Sequence, residues 1–172
     1  MTSRLDKWAL FFIALFVSLT VLDSITTYLG LTTFGFLESD PRARLRIETM
    51  GTVTGIMWTG FVNAVIVVLT LTILVMPIRI LPRMRKNFRS ERLYSISYLT
   101  ILSTRIFSFM LLVGYCFFLL PAVINNYSLI MLGIGFHMGK SINVLSLLIG
   151  GLLGGVFAFS ICLKTGEIPK RI

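Results

Sequence analysis

Charged residues are scarce in this chain of 172 residues, and acidic residues are scarcest. Only 13% of the residues are charged, seven are Asp or Glu, and one is histidine. A P-loop, a dinucleotide fingerprint, a GxSxG elbow, an HExxH motif and a CxxC pair are all missing from the sequence. These absences exclude the common soluble active sites, and they favour a non-catalytic protein over an enzyme.

Apolar residues dominate what is present. Hydrophobic residues make up 56% of the chain and the mean hydropathy is +0.90, far above the usual composition of a soluble domain. About 20 apolar residues cross a bilayer as a helix, and in lipid every backbone amide must be satisfied within the segment. We therefore predict an all-α, integral membrane four-helix bundle, a single transmembrane domain over 1–172, with spans at 8–33, 51–77, 94–120 and 141–163.

The basic residues predict the orientation of these spans. Eleven of the sixteen lie near the N-terminus, in the loop 78–93 or near the C-terminus. The positive-inside rule then predicts a multi-pass protein of the cell membrane with both termini cytoplasmic. The loop 78–93, where Pro77 and Pro82 are expected to break the helix, reads as a polybasic cytoplasmic loop. It favours a bilayer with anionic headgroups as partner over nucleic acid.

The first span contains a carboxylate, Asp23. An Asp at the centre of a membrane helix costs about 2.5 to 3.5 kcal/mol, so a compensating partner is expected. Thr20 and Thr27 share a helical face with Asp23, and this face is expected to point toward protein. Either Asp23 binds a proton or another cation, or an arginine neutralises it. Arg42 and Arg46 are the candidate charge partners, whereas the topology places Arg105 at the other membrane face.

An outer elbow, 34–50, follows the first span. Asp40 and Pro41 form an expected helix start, with a carboxylate at the N-cap and proline at the first helical position. From there we expect an amphipathic lead-in, with Arg44 and Glu48 at i, i+4 spacing, which runs into the second span near Gly51. Glu38 has no such structural explanation. The sequence therefore predicts a ligand or ion site formed by Asp23, Thr27, Glu38 and Asp40.

These residues resemble an uncharacterised family of small bacterial and archaeal membrane proteins, a domain of unknown function. The pattern is an Asp and a Thr in the first span followed by Glu-x-Asn-Pro, matched here by Asp23, Thr27, Glu38, Asp40 and Pro41. The resemblance covers about the first 50 residues, and Asp40 stands where the family has Asn. It implies a compact helical membrane protein of unassigned activity.

The fourth span carries a row of small residues. Such rows allow close helix approach, either within the protein or against another subunit, and the sequence leaves both alternatives open. The predicted helix-packing interface comprises Ser146, Gly150, Gly151, Gly154 and Gly155.

The segment 121–140 is too short to cross the membrane and return, and is expected to be an outer interfacial piece. It holds a glycosylation sequon at Asn126, whose use the sequence does not decide. His137 has no Cys, Asp or Glu nearby, so an interfacial polar residue is favoured over a metal ligand. We predict no metal centre and no cofactor.

Two functions are compatible with these features. Glycine rows, apolar spans and missing motifs favour a non-catalytic accessory or assembly subunit that packs in the membrane against a larger complex or against itself. The alternative is a small membrane enzyme, or an ion- or proton-handling protein, that uses the acidic site at the outer end of the first span.

Overall fold

The computed structural model describes residues 4–35, 41–84, 90–133 and 140–165, and this part of the chain is almost entirely helical. Four of the helices are long and apolar enough to span a membrane. The predicted all-α helical bundle is therefore confirmed, and the protein is a helical membrane protein. The described elements are α1 (Arg4–Thr33), α2 (Pro41–Met50), α3 (Thr52–Met84), α4 (Glu91–Leu132) and α5 (Lys140–Lys164).

Helix α4 is the centre of the bundle, because α1, α3 and α5 all pack against it. Helices α1 and α4 run parallel, since Asp6 contacts Arg105 and Asp23 contacts Asn126. Helices α3 and α5 run the opposite way. The bundle thus has an N-terminal end, where α1 and α4 begin, and an elbow end, where α1 ends and the short helix α2 lies.

Two apolar clusters fill the interior. They hold different cysteines, Cys162 and Cys116, and both thiols are free. The N-terminal cluster joins α1, α4 and α5, and the central cluster joins α1, α3 and α4. The buried members of the N-terminal cluster are Leu5, Ala9, Leu102, Phe109, Val113, Ala158 and Cys162. Those of the central cluster are Phe16, Leu19, Val67, Leu112, Cys116 and Leu119.

The glycine row of α5 lies against α4. A Cβ on Gly150 would stand 2.5 Å from the Cβ of Phe117, and one on Gly154 would stand 2.8 Å from that of Val113. Only glycine permits helices to approach this closely. Of the two alternatives for this row, the structure shows packing within the protein. Gly155 lies against Met110, and the half-buried Ser146 lies one turn before Gly150.

Two helices run further than the sequence analysis predicted. Helix α3 continues through Pro77 and Pro82 to Met84, and α4 continues through Pro121 to Leu132. A proline removes one intrahelical hydrogen bond, and neighbouring helices make that loss tolerable in a membrane bundle. Helix α4, with 42 residues, is about 63 Å long at 1.5 Å per residue, twice a hydrocarbon core of about 30 Å.

The elbow differs from the expected continuous lead-in. Helix α2 begins at Pro41 as predicted, but it ends at Met50, because Gly51 has a φ of +83° that helical residues do not adopt. Across this break, Ile47 of α2 packs closely on Gly55 of α3. A Cβ on Gly55 would lie 3.0 Å from the Ile47 backbone. Because Gly55 has no side chain, α2 can pack directly on the start of α3.

Candidate functional site

The polar face of α1 meets one side chain of α4. The amide nitrogen of Asn126 donates to Oδ1 of Asp23 and to Oγ1 of Thr27, each at 3.3 Å. Asp23 and Thr27 are one turn apart on the helix, so one amide reaches both. Asn126 arrives there only because α4 continues past Pro121 as a helix.

Thr20 extends this face by one turn toward the middle of the bundle. Its hydroxyl oxygen is buried and has no hydrogen-bond partner among the described residues. It lies one turn beyond Phe16, and Asp23 lies one turn beyond Leu19, both members of the central cluster. The polar side chains therefore form a layer on the elbow side of that apolar cluster.

The arginines of the elbow have described partners of their own. Arg46 donates to Oγ1 of Thr59 on α3 at 3.3 Å, and Arg44 pairs with Glu48 at 2.8 Å on the exposed side of α2. Arg42 also lies on α2 and is exposed. The pairing of Asp23 with Arg42 or Arg46 stays a prediction.

Three predicted site residues lie outside the described residues: Glu38, Asp40 and His137. The candidate site that the structure describes therefore consists of Thr20, Asp23 and Thr27 from α1 together with Asn126 from α4. Within the described ranges, no group of three or more His, Cys, Asp or Glu side chains is arranged to hold a metal ion. Hydroxyl, amide and carboxylate oxygens are thus the groups this site offers a ligand.

A second polar contact was missed by the sequence analysis. At the N-terminal end of the bundle, the guanidinium of Arg105 donates to the carboxylate of Asp6, and the Arg105 residue is only 1% exposed. The expectation that Arg105 lies away from Asp23 agrees with this position. The sequence held a signal for this pair: Asp6 lies in the first turn of α1, at the membrane face where the topology also placed Arg105.

Asn126 was also missed as a site residue, because it was considered only as a sequon. It is half-buried inside α4, and its amide is engaged with α1. A second polar signal was the adjacent Asn125, since two consecutive amides interrupt an otherwise apolar stretch. Such an interruption within an apolar helix predicts a polar contact with another helix.

A groove of about 450 Å³ runs along the elbow end between α1 and α3. Its lining is mainly apolar, with one serine and one tyrosine, and Asp23 does not belong to it. The groove is therefore separate from the polar layer. The lining residues are Ser24, Ile25, Tyr28, Leu29, Val53, Ile56 and Met57.

Comparison of the chain with protein families, with curated proteins and with solved structures finds no match in any of the three. The resemblance of the first 50 residues to the uncharacterised membrane family therefore stays a prediction, and the functional argument depends on the geometry alone.

Proposed function

We propose that this protein handles a small cation, a proton or a monovalent metal ion, at Asp23 in the polar layer between α1 and α4. The observation that carries the proposal is the pair of hydrogen bonds by which Asn126 holds Asp23 and Thr27. An ionisable side chain inside a membrane span is expensive, and its usual justification is function. A neutral amide orients the carboxylate without supplying a positive charge.

The central cluster shapes how such a site operates. Phe16, Leu19 and Leu119, all buried, close the bundle directly below the polar layer. A cation at Asp23 therefore enters and leaves at the elbow end, because the way to the N-terminal end passes through packed apolar side chains. This arrangement supports binding or sensing of the cation better than its conduction through the protein.

The proposal includes the orientation of the bundle in the membrane. Four described basic residues lie toward the N-terminal end of the bundle, Arg4, Lys7, Arg92 and Lys164, and the sequence has seven more at 79–89 and 170–171. By the positive-inside rule, this end faces the cytoplasm in the cell membrane and the elbow end faces outward. The polar layer then samples the cations of the outer side.

Cation uptake by the full chain tests the proposal. The purified protein in detergent is assayed for ²²Na⁺ binding and, with a pH-sensitive dye, for proton uptake, beside Asp23→Asn. We expect the wild type to take up one of these cations and Asp23→Asn to take up neither. Glu48→Gln is the matched control, because it removes a carboxylate from the exposed helix α2 and keeps the uptake. Equal uptake by Asp23→Asn and the wild type would overturn the proposal.

The accessory or assembly subunit is the second candidate. The observation that favours it is the outward flank of α3, where Met57, Phe61 and Val68 are 69%, 59% and 59% exposed. This flank offers an apolar surface either to lipid or to another membrane protein. The glycine row no longer counts for this candidate, because α4 already covers it.

Native mass spectrometry after extraction in a gentle detergent tests the second candidate. An accessory subunit is expected to leave the membrane with a stoichiometric partner, or as an oligomer, and Phe61→Ser on the exposed flank is expected to release it. A wild-type chain that runs alone as a monomer would remove the main support for this candidate.

A further inference from the structure

The short helix α2 lies at the boundary of the membrane. The apolar span α1 ends at Thr33 and the apolar span α3 begins at Thr52, and α2 lies between them in the chain. None of the ten described residues of α2 is buried, and three of them are arginines beside one glutamate. Basic helices in this position lie among the lipid headgroups. Helix α2 therefore brings an excess of positive charge to the headgroups at the elbow end.

Two of these arginines differ in their partners. Arg44 pairs with the carboxylate of Glu48 at 2.8 Å on the exposed side of α2. Arg46 is half-buried and donates instead to Oγ1 of Thr59 on α3 at 3.3 Å. The Thr59 hydroxyl itself donates to the carbonyl oxygen of Gly55 at 3.2 Å, so its oxygen accepts the bond from Arg46. Among the described residues, the guanidinium of Arg46 thus contacts a neutral hydroxyl and no carboxylate.

The contact with Thr59 places this guanidinium below the membrane surface. Thr59 lies two helical turns after Thr52, the first residue of α3, which is about 11 Å at a pitch of 5.4 Å. The headgroup layer on each side of the hydrocarbon core is about 5 to 7 Å thick. The guanidinium therefore reaches the level where headgroups meet hydrocarbon. A cation at this level is costly without an anion beside it, and lipid phosphates are the anions that the bilayer supplies there.

A second guanidinium follows on the same side of α2. Arg42 precedes Arg46 by one helical turn, so the two side chains are neighbours on the helix surface, whereas Arg44 and Glu48 lie on the other side. Guanidinium groups bind phosphate through two parallel hydrogen bonds. One phosphate group between Arg42 and Arg46 can therefore accept hydrogen bonds from both.

We propose that Arg46 and Arg42 bind the phosphate of an anionic phospholipid in the leaflet at the elbow end. Thr59 is the positioning residue, because it holds the guanidinium of Arg46 against α3. The occupant is an anionic lipid, since its net negative charge complements the excess of arginine in α2. A phosphate ion in solution is a poorer candidate, because it would have to leave water to reach the level of Thr59.

Lipid binding to the full chain, measured by native mass spectrometry, tests the proposal. The delipidated protein in a gentle detergent is titrated with phosphatidylglycerol or with phosphatidylcholine that has the same acyl chains. We expect the wild type to bind one phosphatidylglycerol more tightly than phosphatidylcholine. Arg46→Gln is expected to weaken phosphatidylglycerol binding by about tenfold, because a hydrogen bond between charged groups is lost. Arg46→Lys restores the charge without the planar fork of donors and should recover part of the affinity.

A matched control exists on the same helix. Arg44→Gln removes the same charge from α2, but from the side that already pairs with Glu48. It is expected to bind phosphatidylglycerol as the wild type does. Circular dichroism verifies the helix content of each variant. If Arg46→Gln does not fold, Arg46→Lys and Arg42→Gln decide the result.

Three results would overturn the lipid assignment. The first is equal binding of the two lipids by the wild type, or equal phosphatidylglycerol binding by Arg46→Gln and the wild type. The second is an equal loss in Arg44→Gln, which would indicate a general attraction to the charge of α2. The third is displacement of phosphatidylglycerol by an excess of inorganic phosphate, which would indicate a site for a free anion. The proposed cation site at Asp23 is tested by its own uptake assay and does not depend on these outcomes.

Discussion

The two ends of the contact between α1 and α4 are built from different chemistry. At the N-terminal end, Asp6 and Arg105 form an ion pair in which both side chains are almost fully buried. At the elbow end, Asp23 and Thr27 accept hydrogen bonds from the neutral amide of Asn126. The first contact matches a negative charge with a positive one, and the second does not.

This difference separates a structural contact from a site. A buried ion pair, once formed, has no charge left to attract a ligand, and breaking it leaves an uncompensated charge in the bundle. The amide of Asn126 adds no charge to its contact with Asp23, and the hydroxyl of Thr20, which has no hydrogen-bond partner among the described residues, lies one turn away. We therefore expect substitutions at the N-terminal end to affect stability, and substitutions at the elbow end to affect binding.

The largest effect is expected from Arg105→Met. It leaves the Asp6 carboxylate buried without this cation, and such a loss costs about 3 to 5 kcal/mol. The free energy of unfolding, from SDS titration followed by circular dichroism, measures this. The double variant Asp6→Asn with Arg105→Met is expected to be more stable than the single one, because no charge is left behind. If Arg105→Met is as stable as the wild type, the ion pair at the N-terminal end is not a stabilising contact and the contrast between the two ends is wrong.

A packing defect away from both polar contacts gives a loss of unfolding free energy with which the polar variants can be compared. Gly150→Ala forces a methyl group against Phe117, where the nearest atom is 2.5 Å away, and such overpacking costs about 1 to 3 kcal/mol. Gly151→Ala is the control, since its new Cβ has 3.7 Å to the nearest atom. The same SDS titration should show a loss for Gly150→Ala alone. Equal stability of the two variants would contradict the close contact of α4 and α5.

A smaller loss is expected from Asn126→Leu at the elbow end. It removes two hydrogen bonds of 3.3 Å, and interhelical bonds in membranes are weak, so the cost is about 1 kcal/mol. Cation uptake should fall more clearly than stability, because Asp23 and Thr27 lose the group that positions them. If Asn126→Leu destabilises the fold as much as Arg105→Met, the elbow end is a structural contact like the other.

The smallest effect is expected from Arg44→Ala on α2. Its ion pair with Glu48 has side chains that are 52% and 56% exposed, and exposed helix pairs of this spacing contribute about 0.3 to 0.5 kcal/mol. The variant should match the wild type within the error of the titration at 0.15 M salt. A loss of the size expected for Arg105→Met would mean that burial does not separate the two ion pairs.

Sequence reasoning predicted the elements better than their contacts. The spans, the helix start at Pro41 and the shared face of Thr20, Asp23 and Thr27 follow from apolar length, a proline and the helical period. The helix end at Met84 did not follow, because Pro77 and Pro82 were expected to break the helix, and the end at Leu132 did not follow, because 121–140 was expected to be an interfacial piece. The stop after α4 is set by Gly133, which adopts a φ of +63° and caps Leu129.

The sequence alone thus determined a helical membrane protein with a carboxylate in its first span, because hydropathy and periodicity are local properties of the chain. Only the tertiary structure decided which polar groups meet. Arg105 and Asp6 are 99 residues apart in the chain, and Asn126 and Asp23 are 103 residues apart. No local pattern encodes contacts at such separations, since they depend on how the packed helices are aligned. The alignment of α1 with α4 brought a guanidinium to Asp6 and an amide to Asp23.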